Sequence, residues 1–132
     1  MSFDDSTIDQ VLAMKTWAVV GLGNNPERAA FGVSKLLQDK GHRIVPVYPR
    51  AETVHGEIGY KTLSEIPFEV DVVDCFVNSK LVGKVVDEAI AIGAKAVWLQ
   101  LDVIDEEAVA RAEAAGLLAI MDRCPAIEYR KR

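Results

Sequence analysis

The stretch Val19-Val20-Gly21-Leu22-Gly23-Asn24-Asn25-Pro26 decides how the rest of the chain is read. It closes an unbroken apolar run, Trp17 to Val20, and opens a segment with helical spacing. A strand, a glycine-rich turn and a helix, in that order, begin a βαβ unit. Glycines at such a turn let the backbone approach a phosphate. Free N–H groups at the helix start supply donors and the positive end of a dipole. Asn24 and Asn25 add side-chain donors, and Arg28 adds charge in the first turn. The plain alternative is a tight strand-to-helix turn that binds nothing.

The same alternation continues outward. Arg43 to Tyr48, Val70 to Val77, Ala96 to Leu101 and Leu117 to Met121 are short apolar runs without polar alternation, as expected of parallel strands buried on both faces. Helical spacing fills the gaps: Glu27 to Lys40, Leu81 to Ile92, and a segment opened by Asp105 and closed by Gly116. A further helix is expected from near Ser6 to about Met14, and a short helical piece at Leu63-Ser64-Glu65-Ile66. Pro46 cannot donate to a ladder, which predicts a bent or partly unpaired second strand there. The fold class that follows is α/β, a Rossmann-like doubly wound parallel sheet of about five strands, in a single domain over residues 1–132.

Size and composition narrow the function. A chain of 132 residues has room for one core and not for a second domain. Its formal net charge of -5 argues against a nucleic-acid binder. The opening residues lack the basic start of a signal peptide, and the longest uncharged stretch, Thr16 to Pro26, is too short and glycine-broken to span a bilayer. Two cysteines, Cys75 and Cys124, do not make a disulfide framework, so a reduced, cytoplasmic protein with no membrane contact is expected.

The turn also discriminates among nucleotides. A dinucleotide fingerprint wants a third glycine where Pro26 stands, and an acid at the end of the second strand where Tyr48-Pro49-Arg50 stands. Arg50 suits an additional phosphate instead, because its planar fork grips phosphate oxygens in pairs. NADP and coenzyme A both carry one; NAD does not.

The chain resembles the stand-alone CoA-binding domain proteins, relatives of the amino-terminal domain of the succinyl-CoA synthetase alpha subunit. The resemblance rests on Gly21 to Arg28, Pro46 to Arg50, Ala96 to Leu101 and Asp122-Arg123-Cys124-Pro125, and covers Thr16 to about Tyr129. It implies coenzyme A laid across the carboxyl ends of the strands. The turn at Gly23 to Pro26 would hold phosphate, and Arg50 would face the adenosine-phosphate end. Val77-Asn78-Ser79-Lys80 would line the cleft, and Gln100 with Leu101 would lie near the pantetheine arm. The chain departs from the commoner family pattern at Gly23, where serine is usual, and at Tyr48, where asparagine is usual. Val77-Asn78 stands where many members have paired arginines, with Lys80 a replacement cation.

No catalytic constellation and no metal-ligand spacing emerges. His42 and His55 read as surface or loop residues, Cys75, Trp17 and Trp98 as core, and Arg130-Lys131-Arg132 as a solvated tail. Cys124, beside Arg123 and after the last strand, is the thiol of interest, with structural packing the simpler role. Asp71 and Asp74 flank the third strand without a partner for acid–base work. Three functions compete: a non-catalytic module for coenzyme A or an acyl-CoA, a small NADP-dependent oxidoreductase, and a Rossmann-like interaction protein that has lost its ligand. Homodimerisation or a protein partner stays open.

Overall fold

In the computed structural model, which describes residues 4–132, the five apolar runs form five strands. They are β1 (Thr16–Val20), β2 (Arg43–Val47), β3 (Val72–Cys75), β4 (Ala96–Leu99) and β5 (Leu118–Ile120). All neighbours pair in parallel, in the order β2-β1-β3-β4-β5. One row of register runs Pro46, Val19, Asp74, Trp98, Ile120 across the whole sheet. The chain reverses its direction of travel between β1 and β3, so the loops after these two strands diverge and leave a crevice.

Helices cover both faces. α1 (Asp5–Leu12), α2 (Ala29–Asp39) and α5 (Pro125–Arg130) bury their apolar residues with Trp17, Val19, Val72 and Trp98. α3 (Ser79–Ala91) and α4 (Glu106–Ala114) cover the face of Ala18, Val73, Cys75 and Val97. Three of these helices start on a side-chain cap: Asp4 accepts from the Thr7 amide, Asn78 from Lys80 and Leu81, and Asp105 from Ala108. Each such cap is worth about 1 kcal/mol. No helix among the described residues is long and apolar enough to cross a membrane.

Three sequence-based expectations are corrected. β2 neither bends nor loses pairing at Pro46, whose register with Val19 is unbroken. The Pro46 carbonyl accepts from the Tyr60 amide at 3.0 Å, so the backbone polar groups of this residue point away from β1, and the missing N–H falls on the outer side of an edge strand. His42 is buried rather than superficial, its Nδ1 2.7 Å from the Met14 carbonyl and its Nε2 on the Tyr129 hydroxyl. Burial lowers its pKa, against the opposing pull of the Met14 carbonyl. The last residues are not a free tail. Residues 125–130 form α5, and the Arg132 guanidinium contacts Asp5, Asp9 and the buried Glu128. Trp98 belongs to the core, as expected: it is fully buried, and its Nε1 donates to the Arg123 carbonyl at 2.9 Å. Trp17 and Cys75 are fully buried, as expected, and His55 lies in the β2–β3 connection.

Candidate functional site

The turn after β1 is fixed from both sides. The Gly21 amide donates to the Val47 carbonyl at 2.8 Å, and the Phe76 amide donates to the Val20 carbonyl at 2.9 Å. Gly21 has φ 99°, and a Cβ built on it would stand 2.3 Å from the Phe76 carbonyl oxygen. Only glycine satisfies both the dihedral and the close approach. Leu22 then drops into the core, and Gly23 passes under the Tyr48 ring, 3.3 Å from where its Cβ would be.

Beyond the glycines the loop is knit to itself. Asn25 Oδ1 accepts from the Glu27 amide at 3.0 Å, and the Asn25 carbonyl from Arg28 at 3.1 Å. Asn24 does not offer its donors outward: its amide and side chain bond to Glu52 and to the Thr53 carbonyl. α2 begins after Arg28, which supplies no side-chain hydrogen bond to the helix start. The first-turn amides of α2 therefore lack a side-chain cap, while Ala29 and Ala30 open on the crevice.

That crevice is a cleft of about 750 Å³ above the β1/β3 divergence. Gly21, Arg28, Tyr48, Val77, Asn78, Gln100 and Leu101 line it, as placed from the sequence. A second hollow of about 300 Å³ adjoins it, and Gly21, Arg28 and Tyr48 belong to both. Gly23, Asn24, Asn25 and Arg50 line the smaller one. Pro26, Ser79 and Lys80 line neither. Ser79 works as a brace: its hydroxyl donates to the Asp102 carbonyl and accepts from the Ile104 amide at 2.8 Å. Asp102 in turn donates its amide to Asp122 Oδ1 at 2.8 Å, so the loops after β3, β4 and β5 are laced into one rim.

Two charged lining residues carry no sequence signal for this place, whereas Cys124 is the thiol the sequence singles out. Lys61 reaches the large cleft because Tyr60 bridges onto Val47 beside β2. Glu52 reaches the small hollow through the irregular connection that follows Arg50. Cys124 lines the large cleft as a free, buried thiol. The cations of the site are thus Arg28, Lys61 and Arg50, with the exposed Lys80 standing apart.

Below the rim, two side chains are buried without partners among the described residues: both carboxyl oxygens of Asp74 and Gln100 Oε1. Burial pushes the Asp74 carboxyl well above the ordinary carboxylate range. The same burial, and the nearby Asp74, push the Cys75 thiol up as well. Asp71 has a plainer role, accepting from the Thr16 amide at 3.0 Å and pairing with Lys95 at 3.4 Å across the strand entrances.

A parallel doubly wound sheet with a glycine turn and an uncapped helix start at its switch point defines a Rossmann-like α/β domain. Within that class the chain belongs to the CoA binding domain family, whose sequence model matches residues 15–130. It is 36% identical over 110 residues to the uncharacterized protein YneT of Bacillus subtilis, covering 83% of this chain and 82% of that one. Over 81 residues it is 37% identical to the alpha subunit of the ADP-forming acetate–CoA ligase II of Pyrococcus furiosus, covering 61% of this chain and 18% of the subunit. A solved hypothetical protein from Pyrococcus horikoshii OT3 superposes with a TM-score of 0.91 at 36% identity, over 98% of this chain and 92% of that one.

Proposed function

We infer that the chain binds coenzyme A, free or acylated, along the β1/β3 cleft and contributes no catalytic machinery of its own. One observation carries this reading. α2 and α3 both open on the cleft, and α2 is the one among the four longer helices with no side chain on its first amides. An uncapped helix start beside a glycine turn favours an anion. The cleft running from it is walled by Val20, Val47, Phe76, Val77, Leu101 and Val103, which suits an apolar arm attached to that anion. Coenzyme A joins a diphosphate to such an arm. Membership of the CoA binding domain family supports the same ligand.

In this reading the Gly21–Pro26 turn and Arg28 meet the diphosphate, and Tyr48 packs beside them. Arg50 meets the phosphate on the ribose. Val77, Asn78, Ser79 and Lys80 form the flank after β3, and Gln100 and Leu101 border the pantetheine arm. Free thiols at Cys75 and Cys124 suit a reducing cytoplasm.

Thermal shift with coenzyme A, acetyl-CoA, NADPH and NADH in parallel tests the assignment. Ligand at one hundred times its dissociation constant stabilises by about 2.7 kcal/mol, a rise of several degrees for a domain of this size. Coenzyme A or its thioester should give that rise. A rise with NADPH alone would replace this reading with the oxidoreductase, and no rise with any of the four would favour the interaction protein. Arg50→Ala should weaken coenzyme A by about tenfold and leave dephospho-coenzyme A nearly unchanged. Equal loss of both ligands in titration calorimetry would remove Arg50 from the ribose phosphate.

A further inference from the structure

A phosphate-binding turn needs its amides available to the arriving anion. Here one is already engaged by the protein. Glu52 Oε1 accepts from the Asn24 amide at 2.9 Å and from Asn24 Nδ2 at 3.1 Å, while Nδ2 also donates to the Thr53 carbonyl at 2.9 Å. The same oxygen lies 3.4 Å from where a Gly23 Cβ would be, so the carboxylate rests over the glycine turn itself. It shares the small hollow with Arg28 and Arg50, the two cations nearest the turn.

The connection is built to keep it there. Ala51, immediately before Glu52, has φ 51°, a left-handed conformation that alanine rarely adopts. The Ala51 amide closes a turn onto the Tyr48 carbonyl at 2.8 Å. On the far side, Gly59 presses against the Glu52 backbone so closely that a Cβ on it would stand 2.0 Å from the Glu52 carbonyl oxygen. Reciprocal hydrogen bonds between Val54 and Glu57, at 3.0 and 2.9 Å, close the loop beyond. A disfavoured alanine and an obligatory glycine both serve to set one carboxylate over the turn. Backbone strain of this kind persists where the surroundings over-determine it.

We propose that Glu52 is an internal anion: its carboxylate holds the phosphate corner in the free chain and is displaced by the phosphate of a ligand. The proposal rests on reading the turn as a phosphate site. Two anions cannot share the Asn24 amide, because one N–H serves one acceptor at a time and like charges at contact distance repel. An incoming diphosphate must break the Glu52–Asn24 contacts, which lowers its affinity and favours ligands with enough charge to compete. On displacement Asn24 regains an outward donor, and Arg28 and Arg50 face the ligand without the carboxylate between them.

Titration calorimetry with two probes, coenzyme A and inorganic pyrophosphate, tests this on wild type, Glu52→Gln and Glu52→Ala. Both probes should bind Glu52→Ala about fivefold or more tightly, the effect of removing a competing charge-assisted contact. Glu52→Gln keeps the shape and an acceptor for Asn24 while losing the charge, so its gain should be smaller, and it reports even if the alanine variant folds poorly. Unchanged or weaker binding in both variants would overturn the proposal and make Glu52 a brace or a ligand contact. If pyrophosphate tightens while coenzyme A binds none of the three proteins, the internal anion stands and the coenzyme A reading falls. If coenzyme A binds all three alike, the reverse holds.

Discussion

Gly21→Ala should cost at least about 3 kcal/mol of stability, the sum of a disfavoured positive φ and a backbone collision. The dihedral of 99° alone accounts for part of it, and the 2.3 Å approach to the Phe76 oxygen for the rest. That oxygen belongs to the strand-to-loop junction after β3, so relief requires β1 and β3 to move apart at the mouth of the cleft. Gly41→Ala separates the two causes. Gly41 has nearly the same φ, 96°, but nothing within 4 Å of its Cβ position. Its substitution should cost only about 1–2 kcal/mol. Urea unfolding of the two variants, compared at equal m, gives the difference directly. Equal losses would mean that the β1 turn and the β3 junction are further apart than described.

Asp74→Asn should stabilise the chain at neutral and alkaline pH. Asp74 is fully buried between Val19 and Trp98 in the sheet register, with neither oxygen bonded among the described residues. Desolvation holds its pKa well above the ordinary carboxylate range, so the folded chain keeps a proton that the unfolded chain releases. The sign follows from linkage. Below the unfolded pKa both states are protonated and the residue costs no ionisation energy. As pH rises past it, the unfolded state gains from ionising and the folded state does not, so stability falls until the folded pKa is passed. Asparagine removes the titration but retains the size. The advantage of Asp74→Asn over wild type should therefore be larger at pH 8 and shrink at pH 4.5. Urea midpoints at the two pH values decide it, and an advantage independent of pH would show that Asp74 has a hidden partner.

Much of the fold is legible before any coordinates. The apolar runs are short and unalternating because each strand is covered on both faces, and that pattern survives in sequence as five short apolar segments. The turn at Gly21 is legible for a related reason, since close backbone approach leaves a residue-type signature. α5 is not, because six residues starting at Pro125 are too few to show helical periodicity. His42 follows a helix-ending glycine and reads as superficial; Met14, the Trp17 ring and the returning Tyr129 bury it together. Arg132 reads as solvated for the same reason, its partners Asp5 and Asp9 lying at the other end of the chain. The site divides likewise. Residues on strand ends and the first turn of α2 are placed by periodicity, whereas Glu52 and Lys61 ride an irregular connection whose path no local pattern encodes.

The Pro46 edge has a consequence for how copies of this chain can meet. A bare outer strand normally presents a ladder of unused amides and carbonyls on which a neighbour can template. On β2 that ladder is blunted: Pro46 has no proton to give, and its carbonyl and the Tyr48 amide are already taken by Tyr60. Continuous-sheet association through this rim is closed off, so any pairing of subunits must use the opposite rim or helical surfaces, and misfolded stacking from β2 is suppressed.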